Sequence, residues 1–238
     1  GDHIQNMAYL NSLAYSESDK LVIYGVNKQQ VDQISEFITS DNLFVVPLEE
    51  IPWYSFDLWK NRYCYWMRSE VRNDYYQFFL EFYSYVSYVI GLRNPIFGKI
   101  DLLSDVKNQS YSSTEYDILF INSKPASSQF FYSDATLDLI IESLSKKFKV
   151  ITTKKIIDIE STTDRKMSLY EIGELSMTCK CIVSISTGPS WPALNKENYL
   201  NNKPVLIFCS HEMIRFNLSS ITSSSLEDVY PFVTRILQ

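Results

Sequence analysis

Cys181-Ile182-Val183-Ser184-Ile185-Ser186-Thr187-Gly188-Pro189-Ser190-Trp191 runs from a buried strand straight into a turn. The first five residues carry no charge. A short, nearly continuous apolar run bounded by turn residues reads as a strand covered on both faces, the situation of a parallel sheet. Gly188 has no Cβ and can take the backbone conformations a tight reversal needs, and Pro189 fixes the turn. Ser190 or Thr187 can cap a helix that starts near Trp191. A second run of the same kind, Pro204-Val205-Leu206-Ile207-Phe208, follows.

The pattern repeats outward from this segment. Upstream, Tyr116-Asp117-Ile118-Leu119-Phe120-Ile121 reads as a strand and residues 122–129 as a polar loop. Ser133-Asp134 can cap a helix whose apolar residues are Leu137, Ile140, Ile141 and Leu144. Val150-Ile151 lies in another strand. Ser168 with Glu171 three residues on forms a capping box. Ser225 can cap a last helix running to Leu237. Strands alternating with helices predict an α/β fold with a parallel sheet flanked by helices.

The first half has a different texture. A short helix precedes Leu21-Val22-Ile23-Tyr24, a buried strand that Gly25 breaks, and Asn27 can cap the next element. Val31, Ile34, Phe37 and Ile38 have helical spacing, and residues 43–46 form a second strand stopped by Pro47. This is a β-α-β unit with parallel strands. Aromatic residues then cluster: Trp53, Tyr54, Phe56, Trp59, Tyr63, Tyr65 and Trp66. They can stack on sugar rings, form core, or make an interface between copies of the chain in a homo-oligomer. A long helix is expected over residues 70–90, with Phe78, Phe79, Phe82, Val86, Val89 and Ile90 on its apolar face, ended by Gly91 and Pro95. A linker is expected over residues 97–113. The chain thus reads as two Rossmann-like halves, an aromatic-rich one at 1–98 and a second at 112–238.

Composition bounds the function. The 238 residues are 45% hydrophobic and 21% charged, with formal net charge -6. A duplex-binding protein needs a basic excess, so no nucleic-acid partner is expected. The four cysteines, Cys64, Cys179, Cys181 and Cys209, are too few for a disulfide framework in a chain this long. With His3 and His211 as the whole histidine complement, no metal site is expected. A reduced, cytoplasmic location fits. Gly1 reads as the scar of a removed tag, and no signal peptide is visible. The most apolar run, residues 78–92, is interrupted by Glu81 and falls short of the roughly 20 residues of a transmembrane segment.

Ligands of such sheets bind outside the carboxyl ends of the strands. Two loops qualify. The loop after Ile121, Asn122-Ser123-Lys124-Pro125-Ala126-Ser127-Ser128-Gln129, offers hydroxyls, amides and one cation. The turn Ser186-Thr187-Gly188-Pro189-Ser190 offers free backbone N–H groups at a helix start, which attract an anion, or it is a plain capped turn. Gly25-Val26-Asn27 is a weaker turn of the same kind. His211, after the fourth strand, is a possible base or a surface residue. Asp57, Glu70 and Asp74 flank the aromatic cluster and are candidate general bases or solvated charges.

The stretch from Cys181 to Leu194, followed by Asn202-Lys203-Pro204-Val205-Leu206-Ile207-Phe208, resembles the C-terminal domain of heptosyltransferase-like glycosyltransferases of the GT-B fold. Its Ser190-Trp191 variant also looks like the glycosyltransferases that modify bacterial autotransporters. The resemblance spans about 116–209. It implies that the turn at Ser186, Thr187, Gly188, Pro189 and Ser190 contacts the donor diphosphate or sugar, with Lys124, Ser127 and Ser128 near the phosphates. It implies transfer of a sugar from a nucleotide-diphosphate donor to a glycan or other hydroxyl acceptor, in surface polysaccharide or glycan synthesis. The nucleotide sugar is then a substrate and no cofactor is expected. No D-x-D pair is present, so a metal-independent reaction is expected. Many members carry Asp where this chain has Ser186 and His where it has Trp191. Two rivals therefore stand beside it: a non-catalytic nucleotide- or glycan-binding module, and a sugar-nucleotide epimerase of related fold.

Overall fold

The computed structural model describes residues 2–19, 21–50, 103–107, 115–125, 130–209, 220–223 and 225–238. The aromatic cluster and the helix expected over 70–90 lie outside them. The chain divides into two compact units, residues 2–105 and residues 106–238. The second begins earlier than the sequence pattern indicates, because residues 106–107 already pack on it. Lys107 N–H donates to Tyr170 Oη at 3.1 Å.

In the first unit, helix α1 (Asp2–Ser16) is followed by strand β1 (Val22–Val26), helix α2 (Val31–Ser35) and strand β2 (Leu43–Pro47). The strands pair in parallel, with Ile23 opposite Phe44 and Gly25 opposite Val46. Gly25 does not end the strand as expected: the ladder runs on through Val26. Ile4, Met7, Leu10, Leu13 and Ala14 bury one stripe of α1 at three- and four-residue steps. Asn11 and Asn42 tie α1 to the chain around β2. Asn11 Nδ2 donates to Phe37 O at 2.9 Å, and Asn42 Nδ2 donates to Ala14 O at 3.0 Å.

The second unit holds strand β3 (Ile118–Ile121), helix α3 (Asp134–Ser145), strand β4 (Val150–Thr152), helix α4 (Leu169–Thr178) and strand β5 (Cys181–Ile185). Two short helices, α5 (Ser190–Ala193) and α6 (Lys196–Leu200), lead to strand β6 (Val205–Phe208). Strand β7 (Ser220–Ser223) and helix α7 (Val229–Leu237) complete it. The sheet order is β4-β3-β5-β6-β7, and every pair is parallel. The fold is thus α/β, with parallel sheets flanked by helices. Every residue of β3, β5 and β6 is buried, which is why these strands read as unbroken apolar runs. Ile118, Phe120, Val183, Ile185, Leu206 and Phe208 face a core closed by Leu137 and Ile141 of α3 and by Phe232 and Val233 of α7.

The helix ends follow from local chemistry. Ser133 Oγ accepts from Thr136 N–H, and Ser168 and Glu171 form the reciprocal capping box. Asn202 holds φ 50°, a left-handed value asparagine tolerates. It ends α6 in a Schellman motif, with Lys203 N–H on Asn198 O at 2.9 Å and Asn202 N–H on Tyr199 O at 3.1 Å. The motif aims Lys203 back at α4, where Nζ donates to Met177 O at 2.8 Å and to Cys179 O. Lys203 thereby caps the end of α4, and desolvation lowers its pKa.

Cys179, Cys181 and Cys209 are buried free thiols. Burial pushes the Cys179 and Cys181 thiols up to about 12, so the reactive thiolate is scarce at ordinary pH. Both should stay unalkylated by iodoacetamide at about pH 8 in the native protein and react fully in urea, as read by peptide mass spectrometry. Rapid native labelling of either would contradict their burial.

Candidate functional site

The connections mark out a candidate site before any side chain is considered. From β3 the chain crosses through α3 to β4 on one side, then returns through α4 to β5 on the other. The crossover direction reverses between β3 and β5, and ligands of open parallel sheets bind at such a switch point, at the carboxyl ends of the strands. Ile121 pairs with Ser184, so the chain leaves these neighbouring strands side by side. The loops leaving them are the two singled out in the sequence, at 122–129, described as far as residue 125, and at 186–190.

The turn after β5 closes on itself. Ser186 N–H extends the ladder to Phe208 O at 3.1 Å. Ser190 Oγ donates to Thr187 O at 2.5 Å and accepts from Thr187 N–H at 3.1 Å. Ser190 N–H donates to Thr187 O and Trp191 N–H to Gly188 O. Ser190 therefore clasps the turn, and neither it nor Thr187 caps α5, whose N-cap is Pro189 without a side-chain bond. Pro189 has no N–H, so among the described residues the turn keeps one unengaged amide, Gly188 N–H. Helix α5 is four residues long, too short to sum an appreciable macrodipole. The row of free amides expected at this turn is mostly spent on the turn itself.

One polar group remains in it. Thr187 is 7% exposed, and its Oγ1 has no hydrogen-bond partner. Leaving a buried hydroxyl unpaired costs about 1–3 kcal/mol, and such a group in a native fold calls for an explanation. Gly188 N–H follows this hydroxyl in the chain, on a residue that is partly exposed. Ser186 and Ser190 are buried, while Gly188 and Pro189 are partly exposed.

On the loop after β3, Lys124 is exposed. Asn122, 2% exposed, pins this loop to the one after β4. Its Oδ1 accepts from Lys154 N–H at 2.7 Å, and its backbone N–H donates to Thr153 Oγ1 at 3.1 Å. Ser123 Oγ lies 2.8 Å from Thr153 Oγ1. The loop after β4 was missed in the sequence, though Thr153-Lys154-Lys155 is a polar run directly following a strand. It adds Lys154, a half-exposed cation with Nζ 4.0 Å from Asp134 Oδ2.

The other candidates fare differently. Gly25 and Val26 are strand residues, and the three-residue 3-10 turn Lys28–Gln30 follows Asn27 without a side-chain cap, so no helix start stands there to attract an anion. Asp57, Glu70, Asp74, Ser127, Ser128 and His211 lie outside the described residues. Among the described residues, no cluster of His, Cys, Asp and Glu could hold a metal ion, and no helix is long and apolar enough to cross a membrane.

No family model matches the chain, and no curated protein matches it. The fold is similar to that in the crystal structure of the glycosyl transferase family 9 from Veillonella parvula DSM 2008, with a TM-score of 0.57 and 10% sequence identity. The match covers 99% of this chain and 88% of that one. At that identity the likeness establishes a shared fold over nearly the whole chain.

Proposed function

We propose that the chain is a glycosyltransferase that moves a sugar from a nucleotide-diphosphate donor to a hydroxyl acceptor in surface polysaccharide or glycan synthesis. The observation that carries this reading is the unpaired Thr187 hydroxyl beside Gly188 N–H at the switch point. The fold likeness to a glycosyl transferase and the sequence resemblance of the same turn support it. Transfer leaves negative charge on the departing diphosphate. Thr187 Oγ1 and Gly188 N–H donate to that charge, and Lys124 neutralises part of it. An acidic residue among Asp57, Glu70 and Asp74 takes the acceptor proton.

The spent amides favour a second reading, a nucleotide- or glycan-binding module without turnover. Both readings expect nucleoside diphosphate to bind, and the transferase alone expects its release from a sugar nucleotide in the presence of an acceptor panel.

Thr187→Val tests the site. It swaps the unpaired hydroxyl for a methyl of the same shape. The expected result is unchanged or slightly raised stability, by up to about 1 kcal/mol, with diphosphate affinity about tenfold weaker by calorimetry. Unchanged affinity would remove the turn from the site. Lys124→Ala should weaken diphosphate binding about three- to tenfold and flatten its salt dependence, as loss of one exposed charge does. An unaltered salt slope would make Lys124 a bystander.

A further inference from the structure

Helix α5 carries the candidate turn, yet it is a single helical turn of four residues. Helices that short do not hold themselves together, and their last carbonyls lack intrahelical partners. Here those carbonyls are taken by side chains from beyond the helix. Asn195, 0% exposed, directs Nδ2 at Pro192 O at 2.9 Å, Gly173 O at 3.2 Å and Ser176 Oγ at 3.3 Å. Its Oδ1 accepts from Asn198 N–H at 2.8 Å and caps α6. Asn198 Nδ2 in turn donates to Ala193 O at 2.8 Å and to Ser176 Oγ at 2.7 Å. Ser176 Oγ donates to Gly173 O at 2.6 Å. A fully buried amide network thus welds α5 and α6 to α4. From Pro192 the link runs two residues back to Ser190, whose hydroxyl clasps Thr187.

We infer that Asn195 is a positioning residue for the turn at 186–190, holding it in one conformation from behind through the carbonyl of Pro192. Its side-chain hydrogen bonds go to Pro192, Gly173, Ser176 and Asn198 and to no residue of 186–190. Its bearing on ligand affinity rests on the proposed diphosphate site; its hold on the turn does not. Sites built on short loops need such a supporting shell, because their own bonds leave them about an ångström too loose.

Asn195→Asp separates the two halves of the side chain. It keeps an oxygen for Asn198 N–H but sets a carboxylate against the carbonyls of Pro192 and Gly173. Asn195→Ser, which also keeps a cap, serves if the first variant does not fold. Hydrogen exchange over 186–194 should accelerate about tenfold, while β3 exchanges as in wild type. Affinity for uridine diphosphate or adenosine diphosphate, by calorimetry, should fall about tenfold. Leu144→Ala, which lowers stability from the core at the end of α3, should change neither readout. Unchanged exchange over 186–194 in both Asn195 variants overturns the inference. Accelerated exchange with unchanged affinity overturns the bearing on ligand. Accelerated exchange in a protein whose wild type binds neither diphosphate supports the brace and counts against the diphosphate reading.

Discussion

Gly173→Val should destabilise the second unit by about 3 kcal/mol or more, lowering its Tm by roughly 10 °C. Glycine in a helix interior normally costs about 1 kcal/mol against alanine, so its presence within α4 (Leu169–Thr178) needs a reason. A Cβ at Gly173 would lie 3.0 Å from Pro192 O, 3.0 Å from Val106 Cγ2 and 3.2 Å from Pro192 Cβ. Val106 is buried and β-branched, so its methyl has little room to give, and Pro192 O cannot move without shifting α5, because Asn195 holds it. The better helix propensity of a larger residue is therefore outweighed by the clash, and a branched side chain meets it on two sides. Thermal unfolding followed by circular dichroism checks the shift. A variant as stable as wild type would mean that α4 and α5 can separate cheaply, and the brace behind the turn would lose its rigid partner.

That close approach was not legible in the sequence, because it depends on two elements meeting across the fold. The strands were legible, because β3, β5 and β6 are buried on both faces and so read as short, nearly continuous apolar runs bounded by turn residues. The capping box of Ser168 and Glu171 was legible because its chemistry is local. Strand β7, Ser-Ile-Thr-Ser, was not. It pairs with β6 at one edge, and a polar edge strand reads as loop. The two candidate loops were legible because each directly follows an apolar strand run, and the hydrogen bonding of the turn was not. The expected row of amides depended on where Ser190 Oγ points, and it points into the turn. Asn195 and Asn198 gave no signal, since nothing in local sequence says that two amides will be buried against a helix about twenty residues away.

Loss of the Arg165 cation should cost about 1–2 kcal/mol near neutral pH and much less in acid. Arg165 Nη2 donates to Glu115 Oε1 at 2.7 Å and to Tyr116 Oη at 2.5 Å, and Nε donates to Glu160 Oε1 at 2.6 Å. Tyr116 Oη donates to Glu160 Oε2 at 2.5 Å. The cluster joins the amino-terminal end of β3 to the chain that follows β4. The Arg165 bond holds the Glu115 carboxyl below its ordinary range. The bond from Tyr116, then that from Arg165, lowers Glu160. Carboxyls lowered by folding stabilise the native state above their unfolded pKa, and that contribution is lost as pH falls through their folded values. Wild type should therefore lose stability progressively below about pH 4.5. Arg165→Met keeps the apolar stem and removes the partner, so its deficit is largest where both carboxyls are ionised. The side chains are 30–44% exposed, so solvent screening limits the expected figure to the low end for charge-assisted bonds. Urea unfolding of both proteins near pH 7 and near pH 3 gives the two differences directly. A deficit that is equal at both pH values would assign the role of Arg165 to its guanidinium over the Tyr116 ring, whose centroid lies 5.4 Å from Cζ, and to its bond to Tyr116 Oη, rather than to its pairing with the two carboxylates.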